Sequence, residues 1–275
     1  MTQELPQKLN GLIPMSDADY GKAAGVRKSQ LDLLSISPAT ARSGFKEQTE
    51  AMIMGSLVHC LVLQPETFAP QYAIEPVVDK RTKAGKEELE AFLIANDDKT
   101  TISQDDYDKA LNMRDSVLNV IGDFLDMPDA IIEHAAFWND SRTGTLCKCK
   151  PDIYIPSLGL AIDLKTTSGF ATADDFGKSV KSFRYHVQQA FYTQGLEANG
   201  FAVHHFLFVP VSKGSGANCR AFRLDESVVE LGKRLLTDDL DLWADCEQSG
   251  NWMRKPSQIE TIKFKPWEYP QNDNQ

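Results

Sequence analysis

The chain has 275 residues, of which 42% are hydrophobic, and this is enough to bury one large core. Its formal net charge of -10 and its pI near 5.0 exclude a protein that coats nucleic acid by simple phosphate neutralisation. The start lacks a signal-peptide pattern and no run reaches about 18 apolar residues, so we expect a cytoplasmic protein without a membrane span.

No internal repeat or low-complexity run divides the chain, which predicts one globular domain with an appended helical N-terminal portion. We assign residues 1–50 to a helical segment packed on the main domain, residues 51–265 to that domain and residues 266–275 to a flexible tail. The five cysteines are an odd number, and Cys147 and Cys149 are too close for a zinc knuckle, so we expect reduced thiols.

The first half of the chain is predicted to be mainly helical. Residues 29–34 and 38–42 form a predicted helix pair, and residues 57–63 form an apolar helical run that contains His59. A lone histidine in such a run is more often a packed core residue than a ligand, so a ligand role for His59 requires acids elsewhere in the chain. Residues 79–119 are charged and helix-prone, with apolar periodicity in 86–94 and 104–120, and form either a mobile flap or peripheral packing.

A β-hairpin is the most informative local pattern. Residues 146–155 and 160–166 are rich in β-formers, and the turn signal Pro-Ser-Leu-Gly at 156–159 separates them. If the residues that border the turn pair with each other, Asp152 lies directly opposite Asp163, with Cβ atoms about 4.5–5.5 Å apart.

The hairpin has one apolar and one charged face. Alternation along the strands places Asp152, Asp163 and Lys165 together, opposite an apolar face. That apolar face consists of Ile153, Ile155, Leu160, Ile162 and Leu164. Opposed carboxylates are costly unless a cation lies between them, and magnesium and manganese prefer such oxygens. With an ammonium group beside them, the pattern predicts metal-dependent phosphodiester hydrolysis; the alternative is a solvated strand face with an ordinary ion pair.

A helix and a strand complete the predicted core. Residues 183–199 form a helix that ends at an Asn-Gly stop signal, and residues 201–211 form a strand buried on both sides. Gln188 and Tyr192 are four residues apart and therefore share a helical face, where they either serve the site or only cap a helix-sheet contact. The result is a β-β-α-β unit with a right-handed crossover.

Together these residues resemble a known family. Residues 147–152, 162–167 and 185–192 look like the motifs of PD-(D/E)xK nucleases of the RecB type, and most closely the RecE-like exonuclease VIII catalytic domain. Residues 55–59 are similar to its histidine motif and residues 81–86 to its intervening segment. The resemblance spans residues 18–233 and implies an α/β restriction-endonuclease-like core, with a mixed central sheet flanked by helices and an N-terminal helical extension.

The resemblance also implies roles for individual residues. His59, Asp152 and Asp163 would bind metal ions, with the Leu164 carbonyl as a further ligand and Glu133 as an additional acid in less distinctive surroundings. Lys165 would be the catalytic lysine, and Gln188 and Tyr192 would contact the scissile region of the DNA and support the metal site. Seven mostly basic residues would contact DNA: Arg27, Lys28, Ser29, Arg42, Lys150, Lys181 and Arg184. The first four are explained equally well as solvated helix ends.

The implied activity is Mg²⁺-dependent 5′ to 3′ digestion of one strand of linear duplex DNA by a two-metal-ion mechanism, leaving 3′ overhangs for recombination; Mn²⁺ would substitute. A homo-oligomeric ring acting in a phage with a single-strand annealing recombinase is implied as well, and a ring would hold DNA without a strongly basic surface. No iron-sulfur cluster is expected, because the C-terminal cysteine trio of cluster-binding relatives is missing. Two alternatives stay open: a structure-selective or single-strand endonuclease on the same core, and a catalytically inactive DNA-binding or assembly subunit.

Overall fold

The computed structural model describes residues 11–44, 49–214 and 216–253, so the predicted tail at 266–275 lies outside the described residues. The helices are α1 Asp17–Lys22, α2 Lys28–Ile36, α3 Pro38–Ser43, α4 Glu50–Leu63, α5 Phe68–Gln71, α6 Lys83–Ala95, α7 Gln104–Leu125, α8 Ala173–Ser182, α9 Tyr185–Ala198 and α10 Glu226–Ser249. The strands are β1 Ile13–Pro14, β2 Tyr72–Ile74, β3 Thr100–Ile102, β4 Ile131–Ile132, β5 His134–Asn139, β6 Leu146–Cys149, β7 Ile153–Ile155, β8 Leu160–Thr167 and β9 His205–Ser212.

The largest sheet has the strand order β4-β7-β8-β9. Strand β7 is antiparallel to both β4 and β8, whereas β8 and β9 run parallel and are connected through α8 and α9. This is the predicted β-β-α-β unit. A second sheet has the order β1-β5-β6, and β2 pairs with β3 alone.

The prediction of one strand over residues 146–155 was wrong. β6 pairs with β5, β7 pairs with β8, and the two strands belong to different sheets. Pro151 lies between them; because it has no backbone N–H to donate to a ladder, the chain bends at this point. The bend leaves Asp152 just ahead of β7, beside the central sheet.

Apolar side chains cover both faces of the central sheet. The predicted apolar face of the hairpin packs against α4 and α7, and β9 is buried on both sides, with Phe208 on one face and Val209 on the other. Helix α7 begins at Ser103, whose hydroxyl accepts from the Asp106 N–H, and its buried residues recur at helical spacing. Helix α7 therefore packs in the core. Helix α6 differs, because Gly85 is its one buried residue.

The N-terminal helices pack on the rest of the fold. Leu31 and Leu34 of α2 are buried in a cluster with residues of β5, β6, α9 and α10, and Val26 forms a parallel bridge with Cys147. Gly195 lets α9 approach the second sheet closely, because a Cβ there would lie 2.6 Å from the Trp138 ring. In the part of the chain that is described, no helix is long and apolar enough to cross a membrane. All five cysteines are free thiols.

Candidate active site

The two acids of the predicted site lie beside each other on the hairpin. Ile155 pairs with Leu160, so the predicted register is confirmed, and its continuation sets Asp152 opposite Asp163. Asp152 follows the bend, and its Oδ2 accepts a hydrogen bond of 2.6 Å from the Leu164 N–H. The Asp163 residue is only 1% exposed. The two carboxylates therefore lie together in one largely buried site.

His59 reaches this place from α4. Its Nε2 lies 3.3 Å from Asp152 Oδ2, and its Nδ1 lies 2.9 Å from the Gly55 carbonyl oxygen. Gly55 allows α4 to approach β8, because a Cβ there would lie 3.2 Å from Thr166 Oγ1. Burial acts to lower the pKa of His59, but the Asp152 carboxylate and the Gly55 carbonyl raise it to about 9. In this arrangement the imidazole is protonated at neutral pH.

Lys165 and Gln188 both contact Asp163. The Lys165 ammonium forms an ion pair with Asp163 Oδ1, and the Gln188 side chain on α9 donates from Nε2 to Asp163 Oδ2 over 2.5 Å. Burial acts to lower the pKa of Lys165, but Asp163 and Asp152 raise it, so the amine is charged. The same ammonium lies 4.9 Å from the centre of the Tyr185 ring.

The pKa values of the two carboxylates are shifted in opposite directions. Burial raises the pKa of Asp163 to about 6, with Lys165 opposing the shift and Asp152 adding to it. Burial acts in the same direction on Asp152, but His59, Lys165 and the Leu164 N–H together outweigh it and lower the pKa of Asp152. Asp163 Oδ1 is buried, and its partner is the Lys165 ammonium, which contacts it as an ion pair.

A third acid, Glu133, joins the group from the end of β4. Its φ of 56° is unusual for a residue other than glycine, and its N–H donates to the Asp152 carbonyl over 2.9 Å. Its carboxylate pairs with Lys150 at 2.5 Å, while burial and the Asp152 charge raise the pKa of Glu133 to about 7. Strained backbone of this kind is concentrated at functional sites.

Tyr192 lies one helical turn after Gln188 on α9. Burial raises the pKa of Tyr192 well above 10, and the negative charge of Asp163 adds to the shift. Its hydroxyl is therefore protonated and able to donate a hydrogen bond near the acids. The helix spacing predicted from sequence puts Tyr192 one turn beyond Gln188 on α9, and its role at the site stays a prediction.

Five of the residues predicted to contact DNA differ in their exposure and in their distance from the candidate active site. Lys28 lies near the site, with its ammonium 5.7 Å from the centre of the Tyr185 ring. Arg42 and Lys181 are exposed, whereas Arg27 and Ser29 are half-buried around the start of α2. A DNA contact remains a prediction for each of them.

The other two predicted DNA contacts have internal partners. Lys150 pairs with Glu133 and with Asp17, and its side chain is 9% exposed. Arg184 pairs with Asp239 at 2.6 Å and donates to the Leu31 carbonyl. A DNA contact by either side chain would require these interactions to break.

Sequence reasoning did not find the acids that hold these basic groups. Asp32 pairs with Lys28 at 2.7 Å, and its spacing of four residues on α2 was a signal that could have been used. Asp239 is 55 residues from Arg184 in sequence, and no local pattern connects them.

The donor groups of the candidate active site fit a divalent cation by their chemistry. Within residues 11–44, 49–214 and 216–253, no three acid, histidine or cysteine side chains converge as a preformed cage. The donors are instead paired with one another and with lysines. Their chemistry nevertheless fits a divalent cation, because carboxylate oxygens and an imidazole nitrogen adjoin one buried oxygen, Asp163 Oδ1, that lacks a hydrogen bond.

The fold and this arrangement of acids and lysine define a domain of the PD-(D/E)xK nuclease class. A family model described as PDDEXK-like domain of unknown function (DUF3799) matches residues 29–265, and the chain therefore belongs to that family. No curated protein sequence matches the chain significantly.

Solved structures support the fold. A protein from Eubacterium rectale, provisionally described as an exonuclease, has a TM-score of 0.54 and 13% identity over 90% of this chain and 97% of its own. A phage-related exonuclease from Haemophilus somnus 129PT has a TM-score of 0.32 and 12% identity over 64% of this chain and 91% of its own, and nothing is inferred from it. The predicted restriction-endonuclease-like α/β fold is confirmed, whereas identities this low carry no information on substrate.

Proposed function

We propose that this protein is a Mg²⁺-dependent exonuclease that digests one strand of linear duplex DNA from the 5′ end. The observation that carries the proposal is the grouping of Asp152 and Asp163 with His59 and the charged Lys165 in one largely buried place. Acids and a lysine held this way suit the hydrolysis of a phosphodiester. The family to which the chain belongs, described as a PDDEXK-like domain, points in the same direction.

Asp152, Asp163 and His59 would hold the cation, with the Leu164 carbonyl and Glu133 as further ligands. When bound, Mg²⁺ would supply positive charge at the phosphate and a more acidic water. His59 must lose a proton to become a ligand, since a protonated imidazole has no free lone pair. Mn²⁺ offers the same preference for oxygen donors and would substitute.

The remaining side chains would act on the substrate and on the ligands. Lys165 carries its charge at neutral pH, so its ammonium can stabilise the negative charge that develops on the phosphate oxygens. Gln188 orients Asp163 through its hydrogen bond. Tyr192, protonated and one turn away, can donate to the substrate or to a carboxylate.

The test is hydrolysis of end-labelled linear duplex, with and without a 5′ phosphate, in Mg²⁺ or chelator, beside a closed circular duplex. We expect digestion of the linear duplex in Mg²⁺ only, with the circle intact. Lys165→Met should lower the rate at least about 100-fold, as loss of a charge-stabilising group does. Lys178→Met is the matched control, because Lys178 is an exposed lysine that pairs with the neighbouring Asp175 and lies outside the candidate active site.

A cut circle would instead support an endonuclease on the same fold. Intact DNA under all conditions, from folded protein that binds DNA, would support the inactive DNA-binding subunit. We also propose a homo-oligomeric ring and a single-strand annealing partner in the cytoplasm, on the family resemblance alone; light scattering of the purified protein would measure the number of subunits.

A further inference from the structure

Phe183 is an exposed aromatic residue directly ahead of the helix that carries Gln188, and its side chain is 59% exposed. Its ring stacks on Tyr185 with centroids 5.7 Å apart and planes 27° apart. Tyr185 stacks in turn on the fully buried Phe208, at 5.7 Å and 21°. Three rings therefore form a continuous stack from the core to the surface.

The stack adjoins the candidate active site. The Lys165 ammonium lies 4.9 Å from the centre of the Tyr185 ring, on which Phe183 stacks. The Lys28 ammonium lies 5.7 Å from the same ring and donates a hydrogen bond to the Phe183 carbonyl. An exposed ring thus stacks on a tyrosine that two ammonium groups contact, Lys28 paired with Asp32 and Lys165 paired with Asp163. Aromatic rings next to cationic groups are what single-stranded nucleic acid binds.

The chain holds Phe183 in this position by a strained turn. Arg184 has φ 51° and ψ 44°, a left-handed conformation that is costly for a residue with a side chain. Its guanidinium compensates by pairing with Asp239 and donating to the Leu31 carbonyl. The turn brings residues 183 and 185 into contact and leaves the outer face of the Phe183 ring open.

We infer that the outer face of Phe183 is a stacking site for an unpaired DNA base next to the phosphate that Lys165 contacts. This inference rests on the proposed nuclease function and adds a base subsite to it. A single exposed apolar residue is ordinary. Phe183 differs because its ring, its carbonyl and its following residue are each fixed while its outer face is free. Any base can stack on a phenyl ring, so the subsite would be tolerant of sequence.

The experiment is a thermodynamic cycle between this ring and individual bases. Affinity is measured for a duplex oligonucleotide whose 5′-phosphorylated end carries unpaired nucleotides, with Ca²⁺ in place of Mg²⁺, and then for a series in which one of these unpaired nucleotides is abasic. The variants are Phe183→Leu, which keeps an apolar side chain without a ring, and Phe183→Tyr, which keeps the ring. Phe170→Leu is the matched control, because Phe170 is a phenylalanine with 64% exposure that lies outside the stack.

Phe183→Leu should weaken binding about tenfold, which corresponds to the loss of one base stack, and Phe183→Tyr and Phe170→Leu should change it less than about twofold. One abasic position should remove the difference between Phe183→Leu and the wild type. Unchanged affinity in Phe183→Leu, or a loss that no abasic position removes, would overturn the inference; the latter would indicate a role in folding or in a protein contact.

The two proposals fail in different ways. Base coupling without hydrolysis in Mg²⁺ would retain the subsite and refute the nuclease. Hydrolysis without base coupling would retain the nuclease and refute the subsite. Absence of any DNA binding would refute both proposals. Equal unfolding temperatures of all three variants and the wild type would show that the comparison is between folded proteins.

Discussion

Two buried aspartates on neighbouring sheets show how differently this fold treats the same side chain. Asp140, next to β5, and Asp163, in β8, are each 1% exposed, and each accepts a hydrogen bond from a glutamine of α9, Gln194 or Gln188.

The rest of their surroundings differ. Asp140 Oδ1 accepts from the Thr143 N–H and hydroxyl, and these bonds, with those from Gln194 and Arg142, outweigh burial and lower the pKa of Asp140. Asp163 Oδ1 has only the Lys165 ammonium beside it, and burial raises the pKa of Asp163 to about 6. Neutral donors of its own turn hold the Asp140 carboxylate, whereas a cationic group holds the Asp163 carboxylate, and such surroundings also suit a metal ion.

The largest expected effect is on hydrolysis by Asp163→Asn. The substitution removes a metal ligand and a charge, and we expect the rate on linear duplex DNA to fall at least about 1,000-fold. The unfolding free energy in urea should change little, because loss of the Lys165 ion pair is offset by relief of the repulsion between the buried charges of Asp163 and Asp152. A variant that retained hydrolysis would contradict the site assignment.

Asp140→Ala should act in the opposite way. Removing the carboxylate leaves the Thr143 N–H and hydroxyl and the Gln194 amide without their acceptor, so the unfolding free energy should fall by about 3 kcal/mol. DNA hydrolysis at a temperature where the variant stays folded should remain within about twofold of wild type. Equal stability of variant and wild type in urea would show that these hydrogen bonds are not what stabilises the turn.

The stability of the fold should depend on pH through His59, which pairs with Asp152 of the candidate active site. The pKa of His59 is raised from 6.5 to about 9, so the protonated ring stabilises the fold fully below pH 6.5, and this contribution is lost as the pH rises through 9. In chelator we expect a loss of about 2 kcal/mol over that interval, less than the full shift would give because the side chain is 28% exposed. His59→Gln should flatten the curve, and a wild-type curve already flat from pH 6.5 to 9 would contradict the pairing with Asp152.

The two glutamines give the smallest expected difference. Gln188→Ala removes the group that orients Asp163, and we expect hydrolysis to fall about tenfold, as with other groups that orient metal ligands. Gln194→Ala is its control on the same helix and should change the rate less than about twofold. Rates on linear duplex at saturating Mg²⁺ would measure both, and equal losses would mean that Gln188 acts through the helix and not through Asp163.

Local periodicity explains what the sequence could predict. The two-residue repeat of the strands and the turn at 156–159 were sufficient for the Asp152 and Asp163 register, and the four-residue spacing of Gln188 and Tyr192 was sufficient for their shared face. Both features depend on residues close together in the chain. The fold class was predictable because strand, hairpin and helix patterns are continuous in this region.

Features that depend on distant contacts were not predictable. The bend at Pro151 sends β6 and β7 to different sheets, and only the tertiary packing decides that β6 pairs with β5. Lys150 and Arg184 resembled free basic groups because their partners, including Asp239, are not adjacent in sequence. The strained turn at Arg184, which exposes Phe183, has no glycine or proline to indicate it.

The central claim is that a divalent cation binds between Asp152 and Asp163, and anomalous diffraction from a crystal soaked in Mn²⁺ tests it most directly. We predict a manganese peak within bonding distance of both carboxylates and of His59 Nε2, and no such peak in Asp163→Asn. A wild-type crystal with no peak at these acids, or with the same peak in the variant, would contradict the account.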